Sequence, residues 1–433
     1  MKPIVFLASL ISAMLCLPPA APAQTGSQGL VNYNHTYVSY IRSVQFHPAG
    51  DELGFPIIRL DGGTRLRLAF DDLDADVKDY TYSIVHCTKD WQPSTQISEM
   101  EYMRGFQEEI IVNYQFSIQT LTPYTHYELL IPNDRQGWKL SGNYLLHIFD
   151  SEGPPIPVIT RRFVIVNNRV RIDAIQRVPN DVSKNDTHHE FDFTVDHQDF
   201  RIRNPLQELY AVVLQNGRWD NAVMNLRPFS TQGQSSLFDY QNKVIFPAGK
   251  EFRSLDMRSL LARSQAIAEI ERSQTHFEVR LYPQLPRAQK VYLTRPDANG
   301  YFVVDNFDRN LNPSTAADYA DVLFILQTAD GPLPDKDVYL FGALTEWQIK
   351  DEYRMRYNPS VSSYVVKALL KQGFYDYMYV AVDFNAEAPR PSLSELEGNW
   401  FETQNQYTIL VYYRPFGGRY DQVIGETTFI SGE

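Results

Sequence analysis

The chain has 433 residues, enough for two to four domains and more than one core. Apolar residues at 43% and charged residues at 21% exclude wholesale disorder, collagen-like repeats and polar low complexity. Against 52 acidic residues stand 40 basic ones, a net charge of −12 with no Lys/Arg cluster to meet a phosphate backbone, so nucleic acid is not expected as a partner.

At the start, Met1-Lys2 is positively charged, residues 4–17 are apolar and Ala21-Pro22-Ala23 forms a small-residue cleavage site, which together read as a signal peptide over residues 1–23. The apolar run is shorter than the about 20 residues a membrane span needs, and no later stretch reaches that length. Leu15 stands before Cys16 where a lipobox takes a small residue, so lipidation is not expected. Removal of this segment leaves Cys87 as the sole cysteine, with no intramolecular disulfide open to it.

After a polar tether at 24–29, Leu66, Leu68 and Phe70 alternate with Arg65 and Arg67, the period of a strand with one wet face. Strands follow around 80–87, 127–131, 144–149 and 162–166, separated by turn signals such as Pro132-Asn133-Asp134 and Ser141-Gly142-Asn143. In the next block, residues 209–215 run into Asn216-Gly217, a strong hairpin signal because both central residues of a type I′ turn need positive φ. Residues 259–273 carry helix formers, with Leu260, Ser264, Ile267 and Glu271 on one stripe, and predict a helix or helical turn. Further strands fall at 301–304, 322–326, 338–341, 364–370, 374–382 and 407–413, with a short helix hinted at 393–396. The expectation is an all-β chain of three consecutive β-sandwich (immunoglobulin-like) domains, 24–168, 169–290 and 291–433, with at most one or two short helices.

No motif for a nucleophile elbow, a phosphate loop, a dinucleotide fold or a zincin occurs, so no enzyme and no cofactor are expected. His86 and Cys87 are adjacent in a strand and face opposite ways, which prevents a Cys/His nucleophile pair. His189 and His197 share a strand face but lie eight residues, roughly 26 Å, apart, too far to hold one metal. Asp72, Asp74 and Asp76 open like a calcium loop, but Val77 and Ser83 stand where the turn glycine and the closing glutamate belong. Neither catalytic nor metal residues are assigned.

Several phrases together resemble the plug proteins of the type IX secretion system. They are Ile-Val-His-Cys-Thr-Lys-Asp-Trp at 84–91, Tyr-Thr-His-Tyr at 124–127, Ser-Gly-Asn-Tyr-Leu-Leu at 141–146 and Gln-Asn-Gly-Arg-Trp at 215–219, with Glu-Phe-Arg at 251–253, Asp-Met-Arg-Ser-Leu at 256–260 and Tyr-Thr-Ile-Leu-Val-Tyr-Tyr-Arg at 407–414. The resemblance implies a periplasmic, non-enzymatic protein that binds the periplasmic end of an outer-membrane translocon barrel and seals it when no cargo is in transit. Such a partner calls for aromatic and arginine groups at an interface, for which Arg218 and Trp219 at the hairpin tip are candidates. Residues 338–347 and 373–380 also look like immunoglobulin-like glucan-binding modules, and that likeness implies Trp347 as a sugar-stacking platform, the basis of an alternative reading as an exported carbohydrate-binding protein.

Overall fold

Each alternating segment has one side that meets a core. In the computed structural model, which describes residues 29–432 apart from 107, 386, 388 and 389, the Tyr80–Cys87 strand buries Tyr80, Tyr82 and Ile84 and leaves Thr81, Ser83 and Val85 half-buried. The segment read as a signal peptide lies outside the described residues. Tyr80–Cys87 belongs to a six-stranded sheet with His35–Thr36, Ile156–Val166, Gly142–Asp150, Glu109–Ile110 and Ile57–Arg59, the last paired in parallel. Facing it are Ile41–Pro48, Leu66–Asp72, Thr125–Ile131 and Asn113–Phe116, paired in that order. Leu66, Leu68, Phe70, Tyr127, Tyr144 and Phe163 fill the space between, each such fully buried side chain stabilising by about 1.5–3 kcal/mol.

The second lobe sets one sheet, built on Arg171–Arg177, His188–Asp196, Ser235–Phe238 and Ser230–Gln232, against another in the order Val223–Leu226, Leu209–Gln215, Gln406–Tyr413, Gln422–Ile430. Its last two strands arrive from the far end of the chain: Tyr413 pairs with Leu209 and Tyr407 with Gln215. The ladders therefore cross the 290/291 division expected from chain order. The cause is legible in the strand itself, which is apolar on both faces and must lie between two layers. Tyr407, Ile409 and Val411 enter the second lobe's core. Leu410 and Tyr412, with Val212 and Leu214, pack instead on Cys87, Trp91, Leu145 and Val164 of the first lobe.

The third lobe lies between these contributions. Its nine-stranded sheet runs Arg253–Asp256, Gly373–Asp383, Lys336–Phe341, Arg354–Asn358, Ser363–Lys371, Tyr319–Gln327, Phe277–Leu281, Ile267–Arg272, with Phe302–Val304 added on Gly373–Asp383. Phe324 and Tyr377, from strands well separated in that order, meet edge to face at 5.0 Å, so the sheet curls over its own core.

Two local expectations are corrected. Residues 267–272, expected as part of a helix, form an antiparallel strand on Phe277–Leu281, because sheet pairing overrides the propensity of Ala266 and Ala268. The turn that closes this hairpin is made by Ser273, whose hydroxyl accepts the amides of Thr275 and His276. Residues 394–397 form a turn rather than a helix. Asn216 and Gly217 take φ of +52° and +63°, as the hairpin reading requires, and the chain returns through Val223–Leu226. Among the described residues the α-helices are three of four residues each, so the protein is all-β, and no helix is long and apolar enough to cross a membrane.

Candidate functional site at the junctions between lobes

The Leu209–Gln215 strand delivers Asn216–Trp219 to the point where the three lobes meet. Asn216 is buried, exchanges hydrogen bonds with Gln406 and donates its side-chain amide to the Asn405 side-chain oxygen, while Tyr301 of the third lobe donates to its carbonyl at 3.2 Å. A Cβ on Gly217 would collide with the Tyr301 hydroxyl and the Phe55 ring, so both close approach and positive φ demand glycine here. Arg218 then turns inward, 8% exposed, with both arms on Asp220 at 3.0 and 2.6 Å. Its guanidinium lies 4.7 Å from the Trp347 ring centre and 5.2 Å from that of Phe341.

Trp347 is half-buried, with Phe252, Tyr301 and Phe341 edge-on around it. Gly300 lies so near that any Cβ would strike the Trp347 ring. Trp219 stands edge-on to Trp91 at 4.8 Å, and the half-buried Arg162 covers both with its guanidinium, 4.5 Å from Trp91 and 5.4 Å from Trp219. The structure thus brings Arg218, Trp219 and Trp347 into one aromatic and cationic seam and occupies their faces with neighbours from the same chain.

A second seam, between the first and third lobes, is ionic. Lys371, 1% exposed, places Nζ 2.6 Å from Asp71 and 2.8 Å from the Ser314 carbonyl, above the Tyr124 ring. Asp71 also accepts from the Tyr319 hydroxyl at 2.6 Å and meets His126 Nδ1 at 2.7 Å. Burial pushes the Asp71 carboxyl up, but Lys371 and His126 outweigh it and hold it below the usual carboxylate range. Farther along, Glu346 accepts from Arg161 at 2.5 Å, Lys350 at 2.6 Å and the Thr36 hydroxyl at 2.7 Å. Burial again opposes ionisation, and the two cations again prevail, keeping Glu346 well below its ordinary value. Asp318 completes the seam by accepting the amides of Leu121 and Thr122 at 2.6 and 3.1 Å. A cleft of about 280 Å³ opens here, but its charges are internally paired, Arg42 with Glu352 at 3.1 Å and Arg161 and Lys350 with Glu346.

The remaining residues weighed from sequence have structural neighbours. The Lys78 ammonium sits among the three aspartates, 3.0 Å from Asp72, 3.7 Å from Asp76 and bonded to Asp74, in the place a cation would take. Both ring nitrogens of His189 are engaged, by the Tyr407 hydroxyl and the Phe401 carbonyl. Among the described residues one trio, His276, Glu278 and Asp321, comes within metal-ligand spacing; it is surface-lying, with Lys367 3.2 Å from Glu278. Cys87 is fully buried and its thiol is pushed up to about 12 by desolvation, while His86 faces away towards Tyr102, Tyr144 and Tyr420.

Sequence reasoning missed the ionic seam because its partners lie far apart in the chain. One signal was available: Arg161 and Arg162 fall inside the otherwise apolar Ile156–Val166 strand, and a charge there requires a partner.

Comparison with known proteins bears on this architecture. In solved structures, a hypothetical protein from Parabacteroides merdae superposes with a TM-score of 0.87 at 34% identity, covering 92% of this chain and 99% of that one. A trypsin-activated alpha-2-macroglobulin from Escherichia coli reaches only a TM-score of 0.19 at 9% identity over 90% of this chain and 27% of that one, which carries no structural argument. No curated protein matches. Residues 41–167, which build nearly all of the first lobe, match the family described as "Type 9 secretion system plug protein 1st domain". The chain belongs to the type IX secretion system plug protein family and takes part in that secretion pathway.

Proposed function

We propose that this protein resides in the periplasm, docks on the periplasmic mouth of the outer-membrane translocon barrel and seals it while no cargo is in transit. A barrel wide enough to pass folded proteins leaks unless a stiff body covers it. The observation that carries the reading is the way the lobes are bound to one another: a strand shared between two lobes, and the buried Asp71–Lys371 and Arg161–Glu346 pairs across the third. In this role Arg218, Trp219 and Trp347 act indirectly, by fixing the relative placement of the lobes that form the footprint. Glucan stacking on Trp347 is the weaker reading, because Arg218 already lies over its ring.

The test is outer-membrane permeability in the native host. Deletion of the gene is expected to admit a large hydrophilic antibiotic, restoration of the full chain to exclude it again, and removal of the barrel together with this chain to abolish the leak. Unchanged uptake in the single deletion, with the barrel present, overturns the sealing role.

A further inference from the structure

The first lobe has one side on which neither sheet is closed. Glu109–Ile110 ends the six-stranded sheet and Asn113–Phe116 ends the facing one, so the chain crosses from one edge to the other within a few residues. Along this crossing Phe106, Ile110, Val112, Tyr114, Phe116 and Ile118 are all exposed, Val112 by 82% and Phe106 by 70%. Tyr114 packs on the core residue Tyr127, ring centres 5.8 Å apart, so the stripe continues the core out to the surface.

The main chain is open as well. Asn113 pairs with Glu128 and Phe116 with Thr125, and the ladder continues to Ser117, whose N–H donates to the Tyr124 carbonyl at 2.8 Å. Hydrogen-bonded and non-bonded residues alternate in an antiparallel ladder, so Asn113, Gln115 and Ser117 face Thr125–Ile131 while the N–H and C=O of Tyr114 and Phe116 point away. Ile118 shows that outward direction directly, its N–H donating to the Thr315 carbonyl of the third lobe. Natural edges are guarded by Lys, Pro or a bulge, but residues 105–122 contain no Lys, Arg or Pro.

We infer that the Asn113–Phe116 edge is the docking strand of the secretion partner, taking an extended segment of that partner as a fifth strand, with its alternate apolar side chains covering the Tyr114–Phe116 stripe. This rests on the proposed docking to the translocon and names its contact. Outward main-chain donors and acceptors specify a strand rather than a helix. Charge selects against a second copy, since each copy carries −12, and favours a partner segment with a basic residue opposite the exposed Glu108.

The test uses the tagged full chain in its own host, solubilised in mild detergent. Tyr114→Pro and Phe116→Pro each delete an outward N–H that the ladder to Thr125–Ile131 does not use, a substitution edge strands tolerate; Phe116→Lys adds the missing guard. Recovery of the barrel protein is expected to fall about tenfold or more in all three, with the Phe116 variants melting as the wild type does and Tyr114→Pro, which also gives up its packing on Tyr127, still folded. Amides of Tyr114 and Phe116 in the wild-type complex should gain protection from hydrogen exchange. Full recovery by folded variants, or no gain in protection, overturns the docking strand and leaves the sealing role standing. Failure of the wild type to recover the barrel overturns both. A wild-type dimer in sedimentation that Phe116→Lys dissociates overturns the assigned occupant in favour of a second copy.

Discussion

The two seams of the first lobe bury similar kinds of strand by opposite means. Against the second lobe the contact is apolar, Val212, Leu214, Leu410 and Tyr412 on Cys87, Trp91, Leu145 and Val164. Against the third lobe it is charged, Asp71 with Lys371 and Glu346 with Arg161 and Lys350. Apolar contact is non-directional and holds the lobes together with latitude in their angle. A buried ion pair fixes distance and direction, and it penalises any displacement that leaves a charge unpaired in low dielectric. The second lobe is thus joined by area and the third by geometry.

The sharpest break of this contrast is Lys371→Met. It takes the ammonium from Asp71 at 1% exposure, leaving the carboxylate to Tyr319 and His126, and the expected loss is about 3–5 kcal/mol in denaturant unfolding, with the double variant Lys371→Met/Asp71→Leu regaining part of it. A single-variant loss below about 1 kcal/mol would mean that the seam is not held by this pair. On the apolar side Leu214→Ala should cost about 2–5 kcal/mol through the cavity it leaves, and here no second-site partner change should rescue it.

Of the apolar seam, the strand at 407–413 was legible as a strand of the last domain, but its place was not: it pairs with Leu209–Gln215 across nearly 200 positions and lies between two lobes, where three consecutive domains were expected. The ionic seam shares that distance between partners and, apart from Arg161 and Arg162 inside an apolar strand, adds a second obstacle. Asp71 looks like one more member of the acidic run through Asp76, and nothing local separates it from Asp74, which stays half-exposed beside Lys78. The candidate residues Arg218, Trp219 and Trp347 were conspicuous as aromatic and cationic groups, but exposure is a tertiary quantity and coverage by neighbours of the same chain cannot be read from composition.

Acid separates the ionic seam from the first lobe's own buried histidines by pH. Burial pulls His86 and His147 down to about 4, so the unfolded chain takes up their protons below about 6.5 while the folded protein does not. Stability from these neutral histidines is therefore complete above that value and falls as pH drops towards 4, by up to about 1.4 kcal/mol per pH unit for each. Asp71 and Glu346 are displaced downwards from ordinary carboxylate values, so their contribution is complete above those values and is lost only in stronger acid. Unfolding measured between pH 7 and 4.5 should show the histidine slope, and His147→Gln should shallow it. An identical slope in that variant would assign the acid sensitivity elsewhere.

The smallest expected effect tests where the two seams join. Arg218 reaches from the second lobe over Trp347 of the third, where a cation and an aromatic surface supply the contact together. Arg218→Met keeps the apolar stem and removes the charge, and Asp220, which stays in contact with water, is not stranded by the loss. The expected cost is about 0.5–2 kcal/mol, the range of a partly desolvated cation–π contact. If Trp347 also served a sugar, the same variant would clear its ring and strengthen a glucan-dependent change in tryptophan fluorescence. If the ring serves the seam, the fluorescence should ignore glucan in both proteins, and only the unfolding midpoint should move.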